Sequence, residues 1–201
     1  MSGNTAPNAP TVIYPQSGAS TYSATPVVRV YCPADPDADE MSLVRKVDSG
    51  AWEPLGTLNG DYVLDVLPAL GDGNHTIHYK LLDKHGAESA AVSVTVTKLA
   101  LTWTRTIATG TVISNKEISH QADIRQMLDV LNVQCAWYGN SSIMLAGTLG
   151  RFGDWKAQME QMQNAIEANA EAAGLTVEFE AVPSYPAAKV INDIRMQLSM
   201  F

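Results

Sequence analysis

Cysteine is scarce in this chain, with only Cys32 and Cys135 among 201 residues, so a disulfide framework is not expected. With only two cysteines and four histidines there is also no structural zinc spacing, and both thiols are expected to be reduced and buried. Basic residues are few. Thirteen Lys and Arg stand against twenty-one Asp and Glu, a net charge of −8, and neither half is basic: 6 against 11 before Ala100, and 7 against 10 from Leu101 onward. That balance excludes the phosphate neutralisation on which non-specific nucleic-acid binding depends. No run approaches the roughly 18 apolar residues of a membrane helix, so no membrane partner is expected. The first residues, MSGNTAPNAPT, carry neither a basic start nor an apolar core of a secretory leader, and synthesis and folding in a cytoplasm are the expectation. Nucleophile elbow, phosphate-binding glycine loop and paired-carboxylate motif are all missing. Neither an enzyme nor a cofactor is therefore expected.

What is present is periodicity. The segment from Ser114 to Gly139 repeats apolar residues at Ile124, Leu128, Leu131, Cys135 and Tyr138, spacings of four and three that place them on one helical stripe. Ser114 with Glu117 has the form of a capping box, and Gly139 the form of a helix terminator. The motif Asp123-Ile124-Arg125-x-x-Leu128 returns as Asp193-Ile194-Arg195-x-x-Leu198, predicting two related helices.

Residues 1–8 are small, polar and Pro-containing, which predicts a flexible arm or an extended tail that docks on a neighbour. From Ala9 to Thr97 the pattern is β throughout. Seven short strands are read near Thr11–Tyr14, Val27–Cys32, Met41–Val47, Ala51–Glu53, Tyr62–Val66, His75–Leu81 and Ala91–Val96, with turn chemistry between them. This predicts an all-β sandwich over 9–98. Lys98 to Thr104 reads as a junction, with the domain boundary between Thr97 and Thr104. Beyond it, residues 99–201 read as a small α+β or mainly helical domain: the helix above, a second from Asp154 to Gly174 striped by Trp155, Met159, Met162, Ile166 and Ala170, a half-buried strand Leu175–Glu180, and a last helix opened by Pro186.

Several stretches carry a resemblance. The Asp-rich turn Asp35-Pro36-Asp37-Ala38-Asp39, the run Val47-Asp48-Ser49-Gly50-Ala51-Trp52, the stretch Leu70 to Tyr79, and Asp83-x-x-Gly86-Ala87-x-Ser89 resemble bacterial and phage immunoglobulin-like or fibronectin type III-like modules over about 90 residues. Cys32 has no partner for the inter-sheet disulfide of antibody domains. The Thr-rich stretch Thr104 to Ile113, Ile124-Arg125-x-x-Leu128 and Trp137-Tyr138-Gly139 are similar to C-terminal segments of virion proteins of phages infecting Gram-positive gut bacteria. The resemblance implies a phage virion component: a capsid decoration, head-fibre or tail-associated protein assembled in the host cytoplasm.

Individual residues bear a functional and a plain reading. Asp35, Asp37 and Asp39 could offer oxygens to calcium, but lack the glycine and distant Glu of an EF-hand loop, so a solvated acidic turn is preferred. His75 and His78, three apart on a strand, face opposite ways and cannot share a metal. His120 is expected to face solvent. Six methionines after residue 100, and the tryptophans, suit either a core or an interface. On the interface reading, Trp137, Tyr138, Trp155, Met200 and Phe201 are anchors, with Arg125 and Arg195 pairing to acidic partners. The expectation is a non-enzymatic virion structural protein that displays an immunoglobulin-like domain, self-associates, and contacts other virion proteins and a host-surface glycan. The competing expectation is a carbohydrate-binding or adhesion module of a bacterial surface protein.

Overall fold

The computed structural model describes residues 3–58, 61–103, 117–145, 147, 154–182 and 188–200, with side chains at 117–121 and 188 left out of the description. Packing divides it into two compact units, one holding the chain up to Thr21 and Thr25–Lys98, the other Tyr22–Ala24 and the chain from Leu99 onward.

The first unit is a sandwich of two sheets. Its strands are β1 (Thr11–Tyr14), β2 (Ala19–Thr21), β3 (Val27–Cys32), β4 (Met41–Val47), β5 (Glu53–Leu58), β6 (Asp61–Val66), β7 (Gly73–Asp83) and β8 (Val92–Lys98). One sheet has the order β1-β3-β6 and the other β2-β8-β7-β4-β5. All pairings are antiparallel except β2 on β8. This is an immunoglobulin-like arrangement. Inward residues of β3, β4, β7 and β8 supply the core: Val28, Val30, Cys32, Leu43, Ile77, Tyr79, Leu81, Val94 and Val96 are all buried. β-Branched residues dominate because they fit a pleated, half-buried surface. Pro54 lies on β5, an edge strand, where a missing N–H costs no interior ladder bond.

Eight strands stand where seven were read, and the one read at Ala51–Glu53 is displaced, since β5 runs from Glu53 to Leu58. The unread one, β2, is only Ala-Ser-Thr, too short for a period, and its pairing of Ala19 with Val96 is far away in sequence. A flexible arm or a tail docked on a neighbour is expected over residues 1–8, and its described part makes contacts within the chain. Asn4 donates to Asp83 Oδ2 at 2.7 Å, the Thr5 amide donates to Asp37 Oδ2 at 2.6 Å, and Pro7 is buried, so this segment is tied to its own sandwich.

The second unit consists, among the described residues, of α1 (Glu117–Trp137), α2 (Trp155–Ala172) and α3 (Ala188–Met200), each packed on the other two. The expected stripe on α1 is there: Ile124, Leu131, Cys135 and Tyr138 are buried and Leu128 half-buried. A second stripe beside it is buried as well, running through Asp123, Met127, Val130, Gln134 and Trp137. α1 is thus buried over somewhat less than half its girth. Gly139 closes it at φ 74°, with Asn140 N–H donating to Cys135 C=O at 2.8 Å and Gly139 N–H to Ala136 C=O at 3.4 Å. α2 ends in the same motif at Gly174. Asp154 occupies the N-cap of α2 but makes no capping side-chain bond; its carboxylate lies instead against Gly147, where a Cβ would collide with it.

The predicted strand at 175–180 does not form. Val177 and Phe179 are half-buried between exposed Thr176, Glu178 and Glu180, as the alternation implied, but no neighbouring strand exists among the described residues to complete a ladder. Pro186, Ser114 and the Thr104–Ile113 arm lie outside the described residues, as do Phe201 and the side chain of His120. Of the six methionines of this half, Met127, Met159 and Met162 are buried, while Met144, Met196 and Met200 are exposed.

Both cysteines are free and buried. Burial, with the Asp61 charge adding to it, pushes the Cys32 thiol up to about 11, and burial raises Cys135 as well. Since the thiolate is the reactive form, neither thiol is expected to react with a disulfide reagent within an hour at pH 8 in the native protein, and both are expected to react in denaturant. Rapid native labelling of either would contradict this packing.

Candidate functional site

Three charged groupings of the sandwich could bear on a site, and each arises from a strand or turn already described. At the centre of the sandwich, Arg45 on β4 reaches across to the opposite sheet. Its guanidinium donates to Asp65 Oδ1 of β6 at 2.5 Å and to the Val66 carbonyl at 3.2 Å, while Nη2 pairs with Glu53 at 2.8 Å. The Tyr79 hydroxyl donates to the other Asp65 oxygen at 2.7 Å. Burial pushes the Asp65 carboxyl up, opposed by the Tyr79 hydroxyl and the Arg45 guanidinium, and burial with the Asp65 charge drives the Tyr79 phenol far above its ordinary value. All three side chains are spent on one another inside the sandwich, so the cluster ties sheets together and offers nothing to a substrate.

The acidic turn is held in a similar way, although Asp35 Oδ2 is buried with no hydrogen-bond partner among the described residues. Asp35 Oδ1 accepts the amides of Asp37 at 2.8 Å and Asp39 at 3.3 Å, an arrangement that shapes the turn. Asp39 pairs with Lys84 at 2.6 Å and His85 at 3.3 Å, and Asp37 holds Thr5. Gly3, Asn4, Asp37, Asp39 and His85 line an open polar pocket of about 460 Å³ beside it. Among the described residues no group of three or more His, Cys, Asp and Glu is placed to hold a metal ion.

His75 and His78 are kept apart. His75 bonds Asp48 Oδ2 at 2.8 Å through Nδ1 and the Gly71 carbonyl at 2.9 Å through Nε2, whereas His78 stands edge-on to Trp52, 6.5 Å between centroids. The Asp48 bond, then the Gly71 carbonyl, raise the His75 pKa; desolvation is the largest single push on Asp48 and acts upward, but the His75 ring and the Thr76 amide together outweigh it and hold Asp48 below its ordinary value. A raised histidine contributes stability that is full below its unfolded value near 6.5 and is lost as pH climbs through the folded one. A lowered carboxyl contributes above its unfolded value near 3.9 and loses that as pH falls through the folded one. The pair is therefore strongest between about pH 4 and 6.5. Because the Asp48 side chain is 45% exposed, screening leaves well under about 1 kcal/mol. The urea midpoint of His75→Gln is expected to fall below that of the parent at pH 5.5 and to converge on it by pH 9; a gap that does not change with pH would rule the coupling out.

The outer face of the β1-β3-β6 sheet is different. Tyr31 is 38%, Leu64 43%, Tyr62 50% and Val66 60% exposed, and Ile13 adds to them from β1. Tyr31 opposes Tyr62 in the register, with ring centroids 5.0 Å apart, and the Arg29 guanidinium lies 4.5 Å from the Tyr62 ring. β6 turns Tyr62, Leu64 and Val66 outward because Asp65, between them, must face inward to meet Arg45 and Tyr79. A one-residue change of register would exchange the two faces. No side chain on this face was singled out from sequence, although the alternation of β6 carried the signal.

In the helical unit the interface candidates separate. Trp137, Tyr138 and Trp155 are only 1%, 6% and 2% exposed, so they fill their own core and are withdrawn as anchors for a partner. Arg195 is buried too, bonding Asp123 at 2.7 Å with its guanidinium 4.8 Å from the Trp103 ring. The acidic partner expected for it on another protein is supplied by its own chain. Arg125 and Met200 are exposed. No described helix is long and apolar enough to cross a membrane.

No family model matches this chain, and no curated protein matches it by sequence. Solved structures similar to it cover about half its length. They include the PKD domain of an M14-like peptidase from a Thermoplasmatales archaeon (22% identity, 48% of this chain and 99% of that one, TM-score 0.39). A fibronectin(III)-like module of Clostridium thermocellum CbhA is 19% identical over 46% of this chain and 99% of that one, TM-score 0.33. The PKD1 domain of Vibrio anguillarum Epp is 16% identical over 49% and 100%, TM-score 0.30. The immunoglobulin-like reading of the sandwich stands on its own strand order and register.

Proposed function

We propose that this chain is a non-enzymatic structural and binding protein, in which the immunoglobulin-like sandwich is displayed for recognition and the helical unit attaches it to a larger assembly of like chains. One observation carries the reading. The ion pairs buried in each unit are spent on packing, while the three-stranded sheet keeps a continuous aromatic and apolar face exposed to solvent. Monomeric proteins seldom expose such a face without a use for it. The setting proposed is a phage virion, in keeping with the sequence resemblance. The same face also favours the second reading, an adhesion or carbohydrate-binding module on a bacterial surface.

An antibody to the chain separates the two. It is expected to label phage particles banded in a density gradient, and light scattering of the purified chain is expected to give an oligomer. Label on washed bacterial envelopes and not on particles moves the protein to the cell surface. Label on neither, with a monomer at high micromolar concentration, removes the display reading.

A further inference from the structure

We infer that the outer face of the β1-β3-β6 sheet binds an acidic polysaccharide, with Tyr31 and Tyr62 meeting the sugar rings and Arg29 meeting the carboxylates. The inference rests on the display reading above and names what the displayed sandwich would hold.

The face is built, because burying Asp65 forces Tyr62, Leu64 and Val66 into solvent on a strand that could otherwise have turned them to the core. Its charged group is one cation. Arg29 lies against the Tyr62 ring, and among the described residues no carboxylate pairs with it. The neighbouring carboxylate, Asp65, points the other way and is already taken by Arg45 and Tyr79. A guanidinium held beside an aromatic ring, with its donors uncommitted to an acid, suits a planar carboxylate.

The local charge of this face decides the occupant, since the sandwich as a whole is acidic, with 6 basic against 11 acidic residues before Ala100. A second copy docking by the same face would offer Arg29 no acid, because that face carries none among the described residues, and both cations would be desolvated for nothing. A neutral apolar partner would also bury Arg29 unpaired. An anionic partner answers the cation, and the tyrosines then ask for flat apolar surface with polar edges. The carbon-bound hydrogens of a pyranose ring supply that surface, and its hydroxyls stay wet around the rim. Residues on one side of a strand recur about every 7 Å, so a chain of linked rings can meet successive side chains along β3 and β6. A uronic-acid polysaccharide combines these features in each repeat.

The test uses the full-length chain and polygalacturonate, by affinity electrophoresis and isothermal titration, with hydroxyethyl cellulose as the neutral control. The expected result is retardation by polygalacturonate alone, weakened at least tenfold in Tyr62→Ala and in Arg29→Gln and by raising the salt. Tyr62→Phe is expected to keep binding, and the circular dichroism melt of each variant checks that it folds. No retardation by polygalacturonate overturns the inference, as does equal retardation by the neutral glucan or binding unchanged in both losing variants. Binding to polyglutamate as strong as to polygalacturonate overturns the saccharide in favour of an acidic peptide. Fluorescently labelled chain on intact bacterial cells or purified particles distinguishes the underlying reading: attachment there that ignores Tyr62→Ala and Arg29→Gln leaves the display role standing and removes this face from it, and attachment nowhere removes both.

Discussion

Asp65→Ala is expected to destabilise the sandwich by about 3–5 kcal/mol, read as a shifted urea midpoint. The truncation leaves the Arg45 guanidinium inside the sandwich with one of its carboxylates gone and strips the Tyr79 hydroxyl of its acceptor. A buried charge without its partner costs far more than the pair was worth, because the guanidinium has already given up its water. Glu53 still pairs with Arg45, but that carboxylate is 61% exposed and screened, so it recovers little. The double replacement Arg45→Met with Asp65→Leu is expected to be milder than Asp65→Ala, since apolar side chains of similar bulk remove both desolvation costs together. A single substitution costing under about 1 kcal/mol, or a double that is worse than the single, would show that this cluster does not tie the sheets together.

The second large effect is expected in the helical unit, where two arginines in the same short motif part company. Arg195→Ala should cost about 3–5 kcal/mol, because Asp123 on α1 is wholly buried and would lose the guanidinium that answers its charge. Arg125→Ala, on the exposed side of α1, should stay within about 0.5 kcal/mol. Helical circular dichroism against temperature compares them directly. Equal effects from the two substitutions would mean that the ion pair across α1 and α3 is not what distinguishes them.

That contrast marks where reading the sequence succeeds and where it stops. The repeat of Asp-Ile-Arg-x-x-Leu was visible, and both isoleucines are buried as its spacing implied. What one strand of text does not state is that the second copy's arginine pairs with the first copy's aspartate, an arrangement 72 residues apart in the chain. The same limit governs the aromatics. Trp137 belongs to a stripe interrupted by Asp123 and Gln134, which disguises it as a polar helix face until Arg195 is found to pair with Asp123 and the Leu198 carbonyl to accept from Gln134 Nε2. The β-branched runs and their turns located six of eight strands; the one read at Ala51–Glu53 meets β5 only at Glu53, and Ala19–Thr21 carries no period of its own and exists only because β8 lies beside it. Alternation at 175–180 reported which side chains are half-buried, and could not report that a partner strand is lacking. The binding face was legible only in part: alternation separates Tyr62, Leu64 and Val66 from Val63 and Asp65, but which set turns inward depends on Arg45 reaching over from the other sheet.

The division of the methionines has a consequence for how the helical unit ages. Peroxide converts an accessible thioether to a sulfoxide and spares one enclosed by packing. Met144, Met196 and Met200 would take up oxygen first and leave the helices unperturbed, since their side chains already stand in water. Met127, Met159 and Met162 would follow only when the helices part, and a polar sulfoxide there would keep them from closing again. Oxygen uptake beyond the outer three thus acts as a clock for opening of the unit, and each tick at an inner position is a step the unit cannot take back without enzymatic repair.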